Sequence, residues 1–119
     1  MIETISAVTL VVADMARAHA FYDAIGFTLR YGGPDAAFTS YTVGTSYLNL
    51  QLVPDRPETR GWGRVILYVD DVDDLHRRSL VAGYHPLTAP ADAPWGERYF
   101  HIGDPDGHEL SFARPLDRP

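Results

Sequence analysis

The sequence has 119 residues, no cysteine and a formal net charge of -6, and its basic residues form no cluster beyond the pair Arg77-Arg78. A chain of this length can bury the core of one ordinary domain, and the lack of cysteine excludes disulfides and thiol chemistry. The acidic balance argues against nucleic acid as a partner. The N-terminus lacks the basic start of a signal peptide and a membrane-length apolar run, so we expect a soluble, cytoplasmic protein.

The first predicted elements are a strand at residues 5–12 and a helix that begins after Asp14. The strand is apolar and β-branched, and the short Asp14 carboxylate can accept hydrogen bonds from the first free N–H groups of the helix. Gly26 is expected to end this helix in a left-handed conformation. The helix has a buried stripe at helical spacing, namely Ala18, Phe21, Tyr22 and Ile25.

Three strand-like runs follow, at residues 27–32, 36–43 and 46–53, and then a segment rich in proline, glycine and charge at 54–62. The whole order recurs 57 residues later, as the pair Asp14 and Asp71 and the pair Gly26 and Gly83 illustrate. In the second copy the predicted strands are 65–69, 84–88, 97–103 and 108–113, and the weaker helical stripe is Val72, Leu75, Ser79 and Ala82.

This repeat predicts a duplicated β-α-β-β-β module within a single domain. Module 1 covers about residues 1–53, residues 54–62 form the linker, and module 2 covers about residues 63–119. The turn Asp104-Pro105-Asp106-Gly107 before the last strand is typical of a hairpin. It resembles the start of a calcium loop but lacks the later acidic ligand, so we interpret it as a turn only.

Four segments in this order carry a family resemblance: Phe21-Tyr22, Ile25-Gly26-Phe27, Trp95-Gly96-Glu97-Arg98 and Asp104-Pro105-Asp106-Gly107. They resemble the vicinal oxygen chelate superfamily, which contains glyoxalase I, extradiol dioxygenases and the metal-free bleomycin resistance proteins. The resemblance implies an α+β fold in which two β-α-β-β-β modules form an open, eight-stranded, cup-like sheet. It also implies that a ligand or a metal sits inside the cup, and the pattern is most similar to the metal-free drug-binding branch.

The resemblance also implies where a metal would be bound, because the family's enzymes place one His or Glu ligand on each of four strands. The equivalent positions here are Ala7, Arg64, Asn49 or Gln51, and Ser111. None of these is a strong metal ligand, and Arg64 brings a permanent positive charge to the site. We therefore expect neither a metal nor another cofactor.

Strand alternation predicts which other side chains line the cup. The predicted lining is Ala7, Thr9, Asn49, Gln51, Arg64, Ile66, Tyr68, Glu109 and Ser111. His101 and Glu109 are candidates for an acid–base pair or a partial metal site, and the alternative is that they are ordinary strand residues with an ion pair to an arginine. Trp95 suits stacking on a flat ligand with Arg98 beside it; alternatively Trp95 caps the core, and Arg98 pairs with Glu97 or Asp106.

Three functions remain open at this point. The first is metal-free binding of a small aromatic or amide-rich compound. The second is a lyase, isomerase or dioxygenase relative with atypical or no metal ligation, and the third is an interaction module with a vestigial cup. The residues predicted to bind the ligand are Asn49, Gln51, Arg64, Tyr68, Trp95, Arg98, Glu109 and Ser111. A homodimer is expected because open sheets leave unpaired edges, whereas membranes and nucleic acids are not expected partners.

Overall fold

The structure, a computed structural model, describes residues 1–117 as two units, Met1–Glu58 and a second unit that begins at Thr59. Unit 1 contains β1 (Ala7–Val12), α1 (Met15–Ala24), β2 (Thr28–Tyr31), β3 (Phe38–Val43) and β4 (Ser46–Leu52). Unit 2 contains β5 (Arg64–Tyr68), α2 (Val72–Val81), β6 (Ala91–Asp92), β7 (Glu97–Gly103) and β8 (Glu109–Pro115). No helix among the described residues is long and apolar enough to cross a membrane.

Each unit contains one four-stranded sheet, with the order β1-β4-β3-β2 in sheet 1 and β5-β8-β7-β6 in sheet 2. The first and last strands of each unit pair in parallel, and the remaining neighbours pair antiparallel. The two units therefore share one strand order and one set of pairing directions. This arrangement confirms the predicted α+β class and the repeated β-α-β-β-β topology.

Both helices begin at the predicted aspartates. The Asp14 carboxylate accepts a hydrogen bond from the N–H of Arg17, and Asp71 accepts one from the N–H of Asp74, each at 3.0 Å. Gly26 and Gly83 follow the helices with φ of 102° and 93°, the left-handed conformation expected of a C-terminal stop. The repeat therefore carries its own start and stop signals in each copy.

The helices differ in how firmly they pack. The whole predicted stripe of α1, from Ala18 to Ile25, is buried, whereas only Val72 and Ser79 of the α2 stripe are buried and Ala82 is exposed. Helix α2 also contacts sheet 2 through the His76 ring, whose centroid lies 5.1 Å from that of Phe100. Each sheet thus has one face covered by its helix and one face without a helix.

The predicted strand at residues 84–88 is wrong, since the edge strand of sheet 2 is the two-residue β6 at Ala91–Asp92. Pro86 lies within this segment and Pro90 follows it, and a proline has no N–H to donate to a sheet. Two backbone hydrogen bonds to the carbonyl of His101, from the N–H of Leu87 at 2.8 Å and from that of Thr88 at 3.4 Å, still hold the segment beside β7.

The turn before β8 is a hairpin turn, as predicted. The Asp104 carboxylate accepts hydrogen bonds from the backbone N–H groups of Asp106 and His108, both at 2.9 Å. The Gly107 N–H bonds to the Asp104 carbonyl at 3.0 Å, which closes the turn. These internal contacts use the Asp104 carboxylate for backbone capping and fix where β8 begins.

Candidate functional site

Strand register defines the face of sheet 2 that lies opposite α2, which we call the helix-free face. Arg64 pairs with Glu109, Ile66 with Ser111 and Tyr68 with Ala113 across β5 and β8. On the other side of β8, Ser111 pairs with His101 and Ala113 pairs with Tyr99. Because side chains alternate along a strand, all of these residues point to the same face. Five predicted lining residues of this unit, Arg64, Ile66, Tyr68, Glu109 and Ser111, therefore share it as expected.

Four of these side chains form a connected polar cluster, consisting of Arg64, His101, Glu109 and Ser111. Arg64 Nε lies 2.7 Å from Glu109 Oε2. Arg64 Nη1 lies 3.2 Å from His101 Nε2, and His101 Nδ1 lies 2.5 Å from Ser111 Oγ. The contact with Glu109 is an ion pair without a well-aligned hydrogen bond, since Glu109 Oε2 is buried with no such bond in the described part of the chain. Arg64 therefore joins the carboxylate to the imidazole.

The contact with Arg64 fixes the proton arrangement of His101. A guanidinium only donates hydrogen bonds, so His101 Nε2 must be the unprotonated acceptor and Nδ1 must carry the proton. His101 Nδ1–H then donates to Ser111 Oγ. Burial lowers the pKa of His101 below its ordinary value, the positive charge of Arg64 lowers it further, and the Glu109 carboxylate opposes both effects. The neutral imidazole is therefore favoured. Because its Nδ1 atom already carries a proton and donates it to Ser111 Oγ, His101 does not remove the hydroxyl proton of Ser111.

An aromatic cluster, consisting of Tyr68, Trp95 and Tyr99 around the carboxylate of Glu97, occupies the other end of the helix-free face. The Trp95 indole N–H donates to Glu97 Oε1 at 2.8 Å, and the Tyr68 hydroxyl donates to Glu97 Oε2. Trp95 stacks on Tyr99 with ring centroids 5.8 Å apart, and Tyr99 lies 5.0 Å from the His101 ring. The two clusters therefore form one continuous row. The hydrogen bond to Glu97 raises the pKa of Tyr68 above its ordinary value.

Arg98 does not lie on this face, which corrects its placement among the predicted ligand-binding residues. It alternates with Glu97 and Tyr99 along β7, and its guanidinium bonds to Asp73 of α2 at 2.7 and 2.8 Å and to Asp92 at 2.9 Å. The alternative prediction, that Arg98 pairs with Glu97 or Asp106, is also wrong, because Arg98 pairs with Asp73 and Asp92. The bond with Arg98 lowers the pKa of Asp73, as a charge-assisted bond to a carboxylate should.

The remaining predicted site residues, Asn49 and Gln51, lie in unit 1. Their register partners are Thr9 and Val11 on β1, which places both on the helix-free face of sheet 1. Asn49 Nδ2 bonds to Thr9 Oγ1 at 3.3 Å, and its Oδ1 atom is buried with no hydrogen-bond partner among residues 1–117. Gln51 is exposed. These two residues therefore form a second polar surface within their own unit.

Sequence reasoning missed several residues on these faces. Glu97 and Tyr99 share the face of His101 by simple alternation, so the register of β7 could have identified them. Arg30 of unit 1 could not be found in this way, because the register shifts between Leu29 and Tyr31 in β2. Its guanidinium lies 4.1 Å from the centre of the Tyr47 ring and donates to Ser40 Oγ at 3.2 Å.

The donor set does not fit the metal site that the vicinal oxygen chelate enzymes use. Among the described residues, no group of three or more His, Asp or Glu is arranged to hold a metal ion. The one carboxylate of the polar cluster, on Glu109, is paired with the guanidinium of Arg64, and the same guanidinium occupies His101 Nε2. A cation placed there would have to displace a fixed positive charge. The polar cluster therefore lacks the free donors that a divalent metal would need.

Comparison with known proteins agrees with this fold. The family model described as Glyoxalase/Bleomycin resistance protein/Dioxygenase superfamily matches residues 4–112. An uncharacterized protein of Mycobacterium bovis is 32% identical over 123 residues, which cover 90% of this chain and 80% of that protein. The crystal structure of TioX from Micromonospora sp. ML1 has a TM-score of 0.76 at 27% identity, covering 96% of this chain and 100% of that one.

A bleomycin resistance determinant encoded on transposon Tn5 also has a TM-score of 0.76, at 22% identity, covering 95% of this chain and 98% of that one. At this identity the likeness concerns the fold alone. The family model, in contrast, spans almost the whole described chain, and each unit has the β-α-β-β-β element order that the resemblance implied. The chain therefore belongs to the Glyoxalase/Bleomycin resistance protein/Dioxygenase superfamily.

Proposed function

We propose that the protein binds a small aromatic or amide-rich molecule without a metal or other cofactor, and that the helix-free face of sheet 2 is the binding surface. The observation that carries the proposal is the continuous row from Trp95 through Tyr99 and His101 to Arg64. Exposed rings offer stacking surfaces that lose little conformational entropy, and the guanidinium offers directed hydrogen bonds. Together these groups suit a flat molecule with carbonyl or carboxylate oxygens at one end.

The polar cluster is better suited to binding than to proton transfer. A general base needs a free acceptor atom, but His101 Nε2 already accepts from Arg64 and Nδ1 donates to Ser111. Ser111 is thus a hydrogen-bonding group and not an activated nucleophile. This arrangement favours the binding protein over the enzyme among the functions left open by the sequence.

The accessibility of the groups supports the same proposal. Trp95 and Tyr68 are 67% and 64% exposed although both are large rings, and Arg64 is exposed as well. Exposed aromatic side chains beside a polar group are typical of ligand-binding surfaces. A net charge of -6 also argues against nucleic acid as the partner, and we propose a cytoplasmic protein that binds a free small molecule.

The test is a titration with named probes, namely benzoate, benzamide and bleomycin, followed by NMR and by tryptophan fluorescence. The chain has two tryptophans, so Trp62→Phe leaves Trp95 as the sole indole reporter, and Trp95→Phe is the matched control. We expect at least one probe to quench Trp95 and to shift the resonances of Tyr99, His101 and Ser111. Binding that shifts only residues away from this face, or no binding by any of the three probes, would overturn the proposal.

A further inference from the structure

The aromatic cluster surrounds a carboxylate that has no cationic partner in the described part of the chain. Both oxygens of Glu97 accept hydrogen bonds from rings, one from Trp95 and one from Tyr68. No ion pair to Glu97 occurs among residues 1–117, where the ion pairs of arginine involve other carboxylates. A carboxylate has about four acceptor positions, so roughly half of the hydrogen-bonding capacity of Glu97 is still available.

The nearby positive charges are committed elsewhere. The chain contains no lysine, so every fixed side-chain cation is an arginine. Arg64 pairs with Glu109 at 2.7 Å, and Arg98 pairs with Asp73 and Asp92 on the side of the sheet that carries α2. Arg114 is the register partner of Arg98, so it points to the same side. The helix-free face is therefore neutral at the polar cluster and negative at Glu97.

The strand register places the rings on either side of a small residue. Tyr68, Ala113 and Tyr99 are consecutive partners across β5, β8 and β7. Adjacent strands lie about 4.8 Å apart, so the two tyrosine backbones are separated by roughly 10 Å with only the methyl group of Ala113 between them. Trp95 stacks against Tyr99 on one side. Ala113 itself is buried, so the slot that these rings form beside Glu97 lies above it, with the exposed rings of Tyr68 and Trp95 as its walls.

We infer that this slot binds the cationic group of an organic ligand, an amine or a quaternary ammonium, between Tyr68, Tyr99 and Trp95 and next to Glu97. Aromatic faces attract cations, with tryptophan the strongest, and the unpaired carboxylate adds a direct electrostatic attraction. The inference rests on the proposed function, because it names the chemistry of one end of the ligand. The other end, at Arg64 and Ser111, takes hydrogen-bond acceptors.

The experiment compares three probes of similar size: phenyltrimethylammonium, neutral benzyl alcohol and anionic benzoate. Each is titrated into the whole protein, and the indole N–H resonance of Trp95 and the backbone resonances of Tyr68 and Tyr99 are followed by NMR. We expect phenyltrimethylammonium to bind this slot at least tenfold more tightly than benzyl alcohol. High salt should weaken the binding of the cation, because an exposed charge interaction is screened.

Two variants test the residues themselves. Glu97→Gln removes the charge and keeps a hydrogen-bond acceptor, and we expect it to weaken cation binding about tenfold with little effect on benzyl alcohol. Trp95→Leu should weaken cation binding as well, and this variant should fold because Trp95 is exposed. The matched control is Asp74→Asn, which removes the same charge from the exposed surface of α2, where Asp74 pairs with Arg77. This control should bind the cation as the wild type does.

The results separate the two proposals. Benzyl alcohol binding as tightly as the cation, or unchanged cation affinity in folded Glu97→Gln, would overturn the cation slot. Benzoate or benzamide that binds near Arg64, with no response to phenyltrimethylammonium, would also overturn the slot but would keep the proposed function. If none of these probes, nor bleomycin, perturbs the helix-free face of sheet 2, both proposals fail.

Discussion

Replacing Arg64 by alanine should weaken ligand binding far more than it weakens the fold. The Arg64 and Glu109 side chains are 46% and 28% exposed, so their ion pair is partly screened and should stabilise the fold by only about 0.2–1 kcal/mol. For a chain of this size that corresponds to a melting temperature lower by roughly 1–6 °C. The loss of charge-assisted hydrogen bonds to a bound carboxylate or carbonyl should cost about 1–3 kcal/mol, which is roughly a 5- to 150-fold loss of affinity.

Thermal unfolding followed by circular dichroism measures the first effect, and titration with benzoate or benzamide, whichever the wild type binds, measures the second. Arg77→Ala is the matched control, because it removes the same charge from the exposed surface of α2. A much less stable Arg64→Ala protein that still binds the probe normally would refute the reasoning. In that case Arg64 would serve only as the structural partner of Glu109.

Three other predictions concern metal content, pH and assembly. Protein purified without chelator should contain far less than one transition metal per chain, and Arg64→His combined with Ser111→Glu should increase Zn²⁺ binding; one bound metal per wild-type chain would contradict the first statement. The pKa of His101 is lowered on folding, so the unfolded chain takes up this proton first and stability should fall as pH drops below about 6.5. When the pH is lowered from 7.5 to 5, the melting temperature of the wild type should therefore fall more than that of His101→Asn. An equal fall in both proteins would contradict this. We also predict a twofold homodimer, because β1, β2, β5 and β6 are sheet edges, and light scattering that detects only a 13.2 kDa species at micromolar concentrations would count against it.

The sequence was sufficient to predict the features that depend on local chemistry. Asp14 and Asp71 cap their helices because a short carboxylate at this position can accept a hydrogen bond from an N–H of the first turn that has no partner within the helix. The shared face of Arg64, Glu109 and Ser111 followed from alternation along straight strands, which the register confirms. An ion pair to an arginine was one of the two alternatives left open for His101 and Glu109, and the structure contains one, between Glu109 and Arg64.

The features that the sequence did not predict depend on interactions between elements or on irregular backbone. Arg98 was placed beside Trp95 because the two are close in sequence, but strand alternation turns it toward Asp73 of α2. The prediction of a strand at 84–88 did not take into account that Pro86 has no N–H to donate to a sheet. Arg30 lies next to a register shift in β2, so counting along the strand could not place it.

The proposed binding surface, the helix-free face of sheet 2, has its carboxylate and its imidazole at a fixed spacing, and this spacing would limit the kind of ligand it suits. Glu97 and His101 lie four residues apart on β7, which is about 13 Å along an extended strand. A molecule with a cationic group at one end and a carbonyl or carboxylate group about 13 Å away could contact both clusters at once and stack on Tyr99 between them. Because the second contact is then intramolecular, such a molecule should bind more tightly than either half alone. On the proposed function, the rigid β-strand would select the ligand by length as well as by charge, which a single metal centre would not do.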